Sequence, residues 1–120
     1  SWYKGEAPSV ATPAYVRDNI HVSLLAKIYV RFLERLVDGT APEKINPSGY
    51  AESQGAFARR LAETMRERLG LPCELHLRQQ TEFLEPRVRI NTDVPDAERM
   101  GWSEVQAWDE LADYYRSKFG

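Results

Sequence analysis

The side chains able to do chemistry are few and scattered along the chain. His21 and His76 are the only histidines and Cys73 is the only cysteine. No second thiolate is therefore available for a structural metal site, and no H-E-x-x-H pair for a catalytic one. A single cysteine also excludes an internal disulfide and suits a reducing, cytoplasmic setting. Glycines stand at 5, 39, 49, 55, 70, 101 and 120. None are spaced as G-x-G-x-x-G or G-x-x-x-x-G-K-[ST], so neither a dinucleotide turn nor a phosphate loop is encoded. A G-x-S-x-G nucleophile elbow is absent too. Cys73 falls on the apolar side of an alternating segment, which favours an inert core thiol over an activated one. Tyr114 and Lys118 have the Tyr-x-x-x-Lys spacing. They lie at the C-terminal end with no strand-helix-strand cofactor unit ahead of them, so the match reads as chance.

A chain of 120 residues, 42% hydrophobic and 28% charged, must position whatever site exists. That is the length of one ordinary domain and too little for two cored ones. Sixteen Lys and Arg against eighteen Asp and Glu leave a net charge of -2. This argues against nucleic acid as a partner, because phosphate neutralisation needs a basic excess or stripe. No stretch approaches the ~18 apolar residues of a membrane span, so no membrane partner is expected. Residues 1–15 lack the charged and apolar regions of a secretory signal.

The pattern predicts an extended N-terminal segment over residues 1–15 and a single domain over 16–120. Residues 15–16 and 19–22 carry the β-branched and aromatic weight of a short strand. Over 23–37, Leu24, Leu25, Ile28, Tyr29, Phe32, Leu33 and Leu36 recur at helical spacing as one broad apolar stripe, with Ser23 expected as N-cap and Gly39 at the close. A weak strand is expected at 44–46, before the turn signature Pro47-Ser48-Gly49. A second helix is expected over 53–69, stopped by Gly70-Leu71-Pro72. Alternation predicts strands at 73–79 and 87–91, and 96–100 suits one helical turn closed by Gly101. Ser103 and Gln106 read as a capping box opening a last helix. The expected fold class is α/β in the α+β-like sense: a few short strands packed with three main helices.

Residues 15–26, Tyr-Val-Arg-Asp-Asn-Ile-His-Val-Ser-Leu-Leu-Ala, resemble the R-D-x-I-H-V-x-D-x-A segment of the extended short-chain dehydrogenase/reductases, the NAD-dependent nucleotide-sugar epimerases and dehydratases. In the same order, Ile45-Asn46-Pro47-Ser48-Gly49 resembles the family's Y-N-x-G-x-G strand-turn. Asp93 and residues 96–102 resemble its x-D-x-x-K-A-x-x-x-L-G-W turn. The likeness covers roughly residues 5–116. Leu24 or Leu25 stands where the family often has an acidic residue, and Pro47 replaces a small one, which suggests a divergent subgroup.

The resemblance implies the C-terminal, nucleotide-sugar-binding part of such an enzyme (isomerase, lyase or oxidoreductase), without the N-terminal Rossmann domain that binds NAD or NADP and carries the catalytic pair. No catalytic residue, cofactor site or metal is expected in this chain, and its partners are a nucleotide-sugar substrate and that Rossmann domain. By resemblance Arg17 approaches the substrate diphosphate, where a guanidinium's planar fork of donors matches phosphate oxygens at ~1.5–3 kcal/mol per bond. Otherwise Arg17 and Asp18 form a surface pair worth little. Arg87, with Arg89 as alternate, matches a second family arginine; on spacing alone both are solvated strand-face charges. Asn46, on the strand-turn, is the remaining candidate for the pocket. The competing expectation is a small self-associating interaction module without a ligand. A complete small enzyme using His21, Asp18 or Cys73 is the least supported.

Overall fold

The structure, a computed structural model, describes residues 1–120. It is a small α+β domain: three helices of sixteen residues each and a few short strands in two two-stranded sheets. The elements in chain order are β1 (Ser9–Val10), β2 (Val16–Asn19), α1 (Val22–Val37), β3 (Tyr50–Ser53), α2 (Gln54–Leu69), β4 (His76–Leu77) and α3 (Glu104–Phe119). β2 and β3 pair antiparallel with Arg17 opposite Glu52, and β1 pairs parallel with β4.

The core sits between α2 and α3. Ala62, Met65, Cys73, Trp108 and Ala112 are buried together, with Phe57, Leu61, Leu111 and Tyr115 packed around them. The alanines let the two helices approach closely, and each large apolar side chain covered there contributes roughly 1.5–3 kcal/mol. The N-terminal segment, expected to be extended, instead opens with a 3-10 turn at Trp2–Lys4 closed by Gly5 and reaches strand only at Ser9–Val10. Trp2 packs on the core, and the Trp2 indole N–H donates to the Glu74 carbonyl at 2.9 Å. Tyr50 stacks on Trp108 at 5.9 Å between ring centroids.

Several expected elements shift. The strand of 44–46 does not form; β3 lies past the Pro-Ser-Gly turn, at Tyr50–Ser53. Gly49 explains the turn, since any Cβ there would strike the Asn19 carbonyl and the Ile20 backbone. The strand of 73–79 shrinks to His76–Leu77, because Cys73 takes the left-handed conformation (φ 49°) and bends the chain ahead of it. Residues 87–91 form only a single bridge, Val16 to Val88. α1 begins at Val22, inside the expected strand, and its N-cap is His21 rather than Ser23: the His21 ring accepts from the Ser23 N–H at 3.0 Å. Half of the Ser103 capping box forms. Ser103 Oγ accepts from the Gln106 N–H at 3.2 Å, but the Gln106 amide donates forward to Glu110. No helix is long and apolar enough to cross a membrane.

Candidate functional site

β2 is four residues long, and its chemistry divides by face. Asp18 points to one side and ties two segments, the turn at 47–49 and the chain at Asn91, to β2. Its carboxylate accepts from Ser48 Oγ at 2.7 Å, the Gly49 N–H at 2.6 Å and the Asn91 N–H at 3.0 Å. This is a structural clasp, and it replaces the expected Arg17–Asp18 surface pair. His21 is likewise spent on capping α1, with Ser23 Oγ 2.7 Å from its ring Nδ1.

Arg17 turns the other way and lies over the Tyr15 ring, its guanidinium carbon 4.4 Å from the ring centroid. Its Nη1 donates to the Val16 and Arg87 carbonyls at 2.9 and 3.3 Å, and its Nη2 to Glu85 Oε2 at 3.4 Å. Only 18% of the side chain is exposed. The segment carrying Arg87 and Arg89 is drawn alongside β2 by two backbone bonds, Val16 N–H to the Arg87 carbonyl (2.7 Å) and Arg89 N–H to the Val16 carbonyl (2.9 Å). An aromatic pair underlies it. Tyr15 meets Phe83 edge-on at 5.6 Å, and the Tyr15 hydroxyl accepts from the Glu85 N–H. The Arg87 guanidinium stacks on Phe83 at 4.1 Å and makes no hydrogen bond or ion pair within the protein. Arg89 approaches Glu85 at 3.9 Å.

Two guanidiniums, those of Arg17 and Arg89, thus approach one carboxylate, Glu85, whose side chain is 54% exposed and held by long contacts, and the Arg87 guanidinium stacks on Phe83 two residues before it. The group keeps a net positive charge and two guanidiniums with spare donors. It can receive an anion with more than one acceptor oxygen, in the way phosphates are bound by bidentate arginines. The arginines form an open face of the domain and line none of the larger cavities. Asn46 does not join them: its backbone N–H donates to Asp93 Oδ2 at 2.7 Å, and its side chain is exposed elsewhere. Tyr15, Phe83 and Glu85, the residues that orient the arginines, carry no motif; only the aromatic at 83 beside an acidic residue two positions on hints at them.

Elsewhere the chain offers little for catalysis. Burial pushes the Cys73 thiol up from its ordinary range, which disfavours the reactive thiolate. Burial, reinforced by a hydrogen bond to the Glu104 carboxylate, pushes the Tyr50 phenol up to about 12. No group of three or more His, Cys, Asp and Glu stands close enough to hold a metal ion. The residues present do not fit a dinucleotide. The β2-to-α1 turn has no glycine and is filled by the His21 cap, while at Gly55, near the start of α2, an added Cβ would come 3.1 Å from the Pro13 Cβ. No step through such a cofactor is derived from this chain.

Comparison with models of protein families, with curated proteins and with solved structures finds no match.

Proposed function

We propose that this chain is the substrate-gripping portion of an NAD-dependent nucleotide-sugar epimerase or dehydratase, catalytically incomplete alone. It holds the diphosphate of a nucleotide sugar at the arginine group, while a Rossmann domain supplies NAD or NADP and the catalytic pair. The observation that carries this reading is convergence. Arg17 and Arg87, seventy residues apart in sequence and each singled out by its own stretch of family likeness, meet at the edge of β2.

The roles within the group follow from what each guanidinium has left to give. Arg87, stacked and without a protein partner, and Arg89, with one long ion pair, grip the phosphate oxygens. Arg17 has its donors occupied by two carbonyls and Glu85, so it holds the segment in place and contributes charge. Glu85 guards the group in the absence of ligand. Its contacts at 3.4 and 3.9 Å are weaker than the charge-assisted bonds a diphosphate would make, at ~1.5–3 kcal/mol each. Asn46 is left out, because nothing brings its side chain to the arginines.

Isothermal titration of UDP-, dTDP- and GDP-sugars into the protein tests this. Binding in the micromolar to millimolar range by one of them, lost in Arg87→Ala and weakened in Arg17→Ala, is the expected result. Absence of heat from all three favours the second reading, a small self-pairing module with no ligand. That reading draws on one observation, the bare apolar arc of α1, where Val22, Leu33 and Val37 are 73, 59 and 91% exposed.

A further inference from the structure

The packed half of the molecule leaves a gap beside its core. A cleft of about 280 Å³ opens where the β2-to-α1 turn, β3, α2 and α3 come together. Ten of its twelve lining residues are hydrophobic and none is an acid, lysine or arginine. The larger groove against α1 differs in kind, being lined by Lys27, Arg31, Glu34, Asp96 and Arg99. Five of the cleft's side chains are aromatic: Tyr50, Phe57, Trp102, Trp108 and Tyr115. Three of these have their polar ends tied elsewhere. The Tyr50 hydroxyl donates to Glu104 Oε1 at 2.8 Å, the Trp108 Nε1–H to the same oxygen at 3.4 Å and the Trp102 Nε1–H to Ser23 Oγ at 2.9 Å. What they have left to offer is ring surface, which favours another ring in stacked or edge-on contact.

The two polar residues of the lining, Asn19 and His21, each keep one free group. A backbone N–H can only donate, so His21 Nδ1, 3.0 Å from the Ser23 N–H, is an acceptor. Ser23 Oγ receives the Trp102 proton and lies 2.7 Å from the same ring nitrogen. The proton of the neutral imidazole therefore sits on Nε2, which has no partner within the protein. Asn19 donates its side-chain N–H to Gln54 Oε1 at 3.4 Å, and its Oδ1 is unpaired. One donor and one acceptor, two residues apart in an otherwise apolar wall, are the make-up of a small-molecule site.

We propose that this cleft binds a neutral, flat, two-ring heteroaromatic molecule whose ring carbonyl and neighbouring ring N–H meet His21 Nε2–H and Asn19 Oδ1. Volume sets the ring count: a dry cavity of about 150 Å³ takes benzene, and roughly twice that takes two fused rings. Neutrality follows from the walls, since an ionised group among them would lose water and gain no counter-charge. The cleft shares no residue with the arginine group, so binding there stands or falls independently of nucleotide-sugar binding.

Proton–nitrogen correlation NMR of the full chain with carbostyril, quinoline and indole tests it. Carbostyril carries a carbonyl beside a ring N–H, quinoline an acceptor alone and indole a donor alone. Carbostyril should bind at about millimolar or tighter. The indole N–H resonances of Trp102 and Trp108 should shift while that of Trp2, outside the cleft, stays still. Quinoline and indole should each bind about tenfold more weakly, for want of one hydrogen bond. His21→Asn keeps a side-chain acceptor to cap α1 and removes the ring donor. It should weaken carbostyril about tenfold and leave indole unchanged. Resonances unmoved by millimolar carbostyril, shifts as large at Trp2, indole binding as tightly as carbostyril, or carbostyril indifferent to His21→Asn each overturns the proposal. So do Trp102 and Trp108 resonances that move with protein concentration alone, which assigns the cleft to a second copy.

Discussion

α1 and the α2–α3 pair are of equal length and are read from sequence by the same periodicity, yet they end in opposite situations. α2 and α3 meet through small residues, Ala62 and Ala112, around Met65 and Trp108; their outward faces are largely charged, with Val105, Tyr114 and Phe119 of α3 also exposed. α1 carries more large apolar side chains than either and buries two, Leu24 and Ile28. The difference teaches that an apolar stripe declares a need for a partner without saying where the partner is. Close packing requires a second surface of matching shape, and within this chain only α2 and α3 provide one for each other.

Substitutions that separate the two regions should fall in order of size. Met65→Ala opens a cavity in the packed half and should lower unfolding free energy by about 2–5 kcal/mol, read from urea denaturation. Asp18→Ala releases the Ser48, Gly49 and Asn91 clasp at the boundary between the halves and should cost about 1–3 kcal/mol by the same measurement. His21→Ala removes the cap of α1 and should cost about 1 kcal/mol. If it instead matched Met65→Ala, α1 would be as firmly integrated as α2 and α3, and the contrast would fail. Leu33→Ala on the bare arc, measured at 1 µM chain where pairing is dilute, should stay within about 0.5 kcal/mol of wild type.

A further effect appears only in alkali and belongs to the packed half. Tyr50 titrates near 12 in the folded protein and at the ordinary phenol value of about 10 when unfolded. The folded state therefore favours the protonated form. The stability this gives is complete below pH 10 and lost as pH rises from 10 through 12. The protein should show one of its six tyrosines ionising late by absorbance at 295 nm, and Tyr50→Phe should abolish that late step.

Helices were more legible in the sequence than strands, for a physical reason. A helix closes its own hydrogen bonds, so spacing and end chemistry suffice: Gly70 and the Ser103 cap lie where the residues place them. A strand needs a neighbour, and residues 73–79 and 87–91 alternate correctly but find one only at His76–Leu77 and Val88. His21 rather than Ser23 is the cap because the helix begins at Val22, and the His21 ring nitrogen reaches the Ser23 amide in its first turn. For the candidate site, the arginine positions were readable and their mutual contact was not. That contact depends on the Tyr15–Phe83 pair and on backbone bonds from Val16, which join segments seventy residues apart.

Phosphorus NMR of a nucleotide sugar titrated with the protein tests most directly whether the arginine group receives a diphosphate. Both phosphorus resonances of the UDP-, dTDP- or GDP-sugar that binds should shift and broaden with wild type. They should return to their free positions with Arg87→Ala/Arg89→Ala, which leaves the Asp18 clasp and the α2–α3 core untouched. Resonances that stay at their free positions with millimolar wild-type protein for all three nucleotides, or that shift equally with the double variant, would contradict the account.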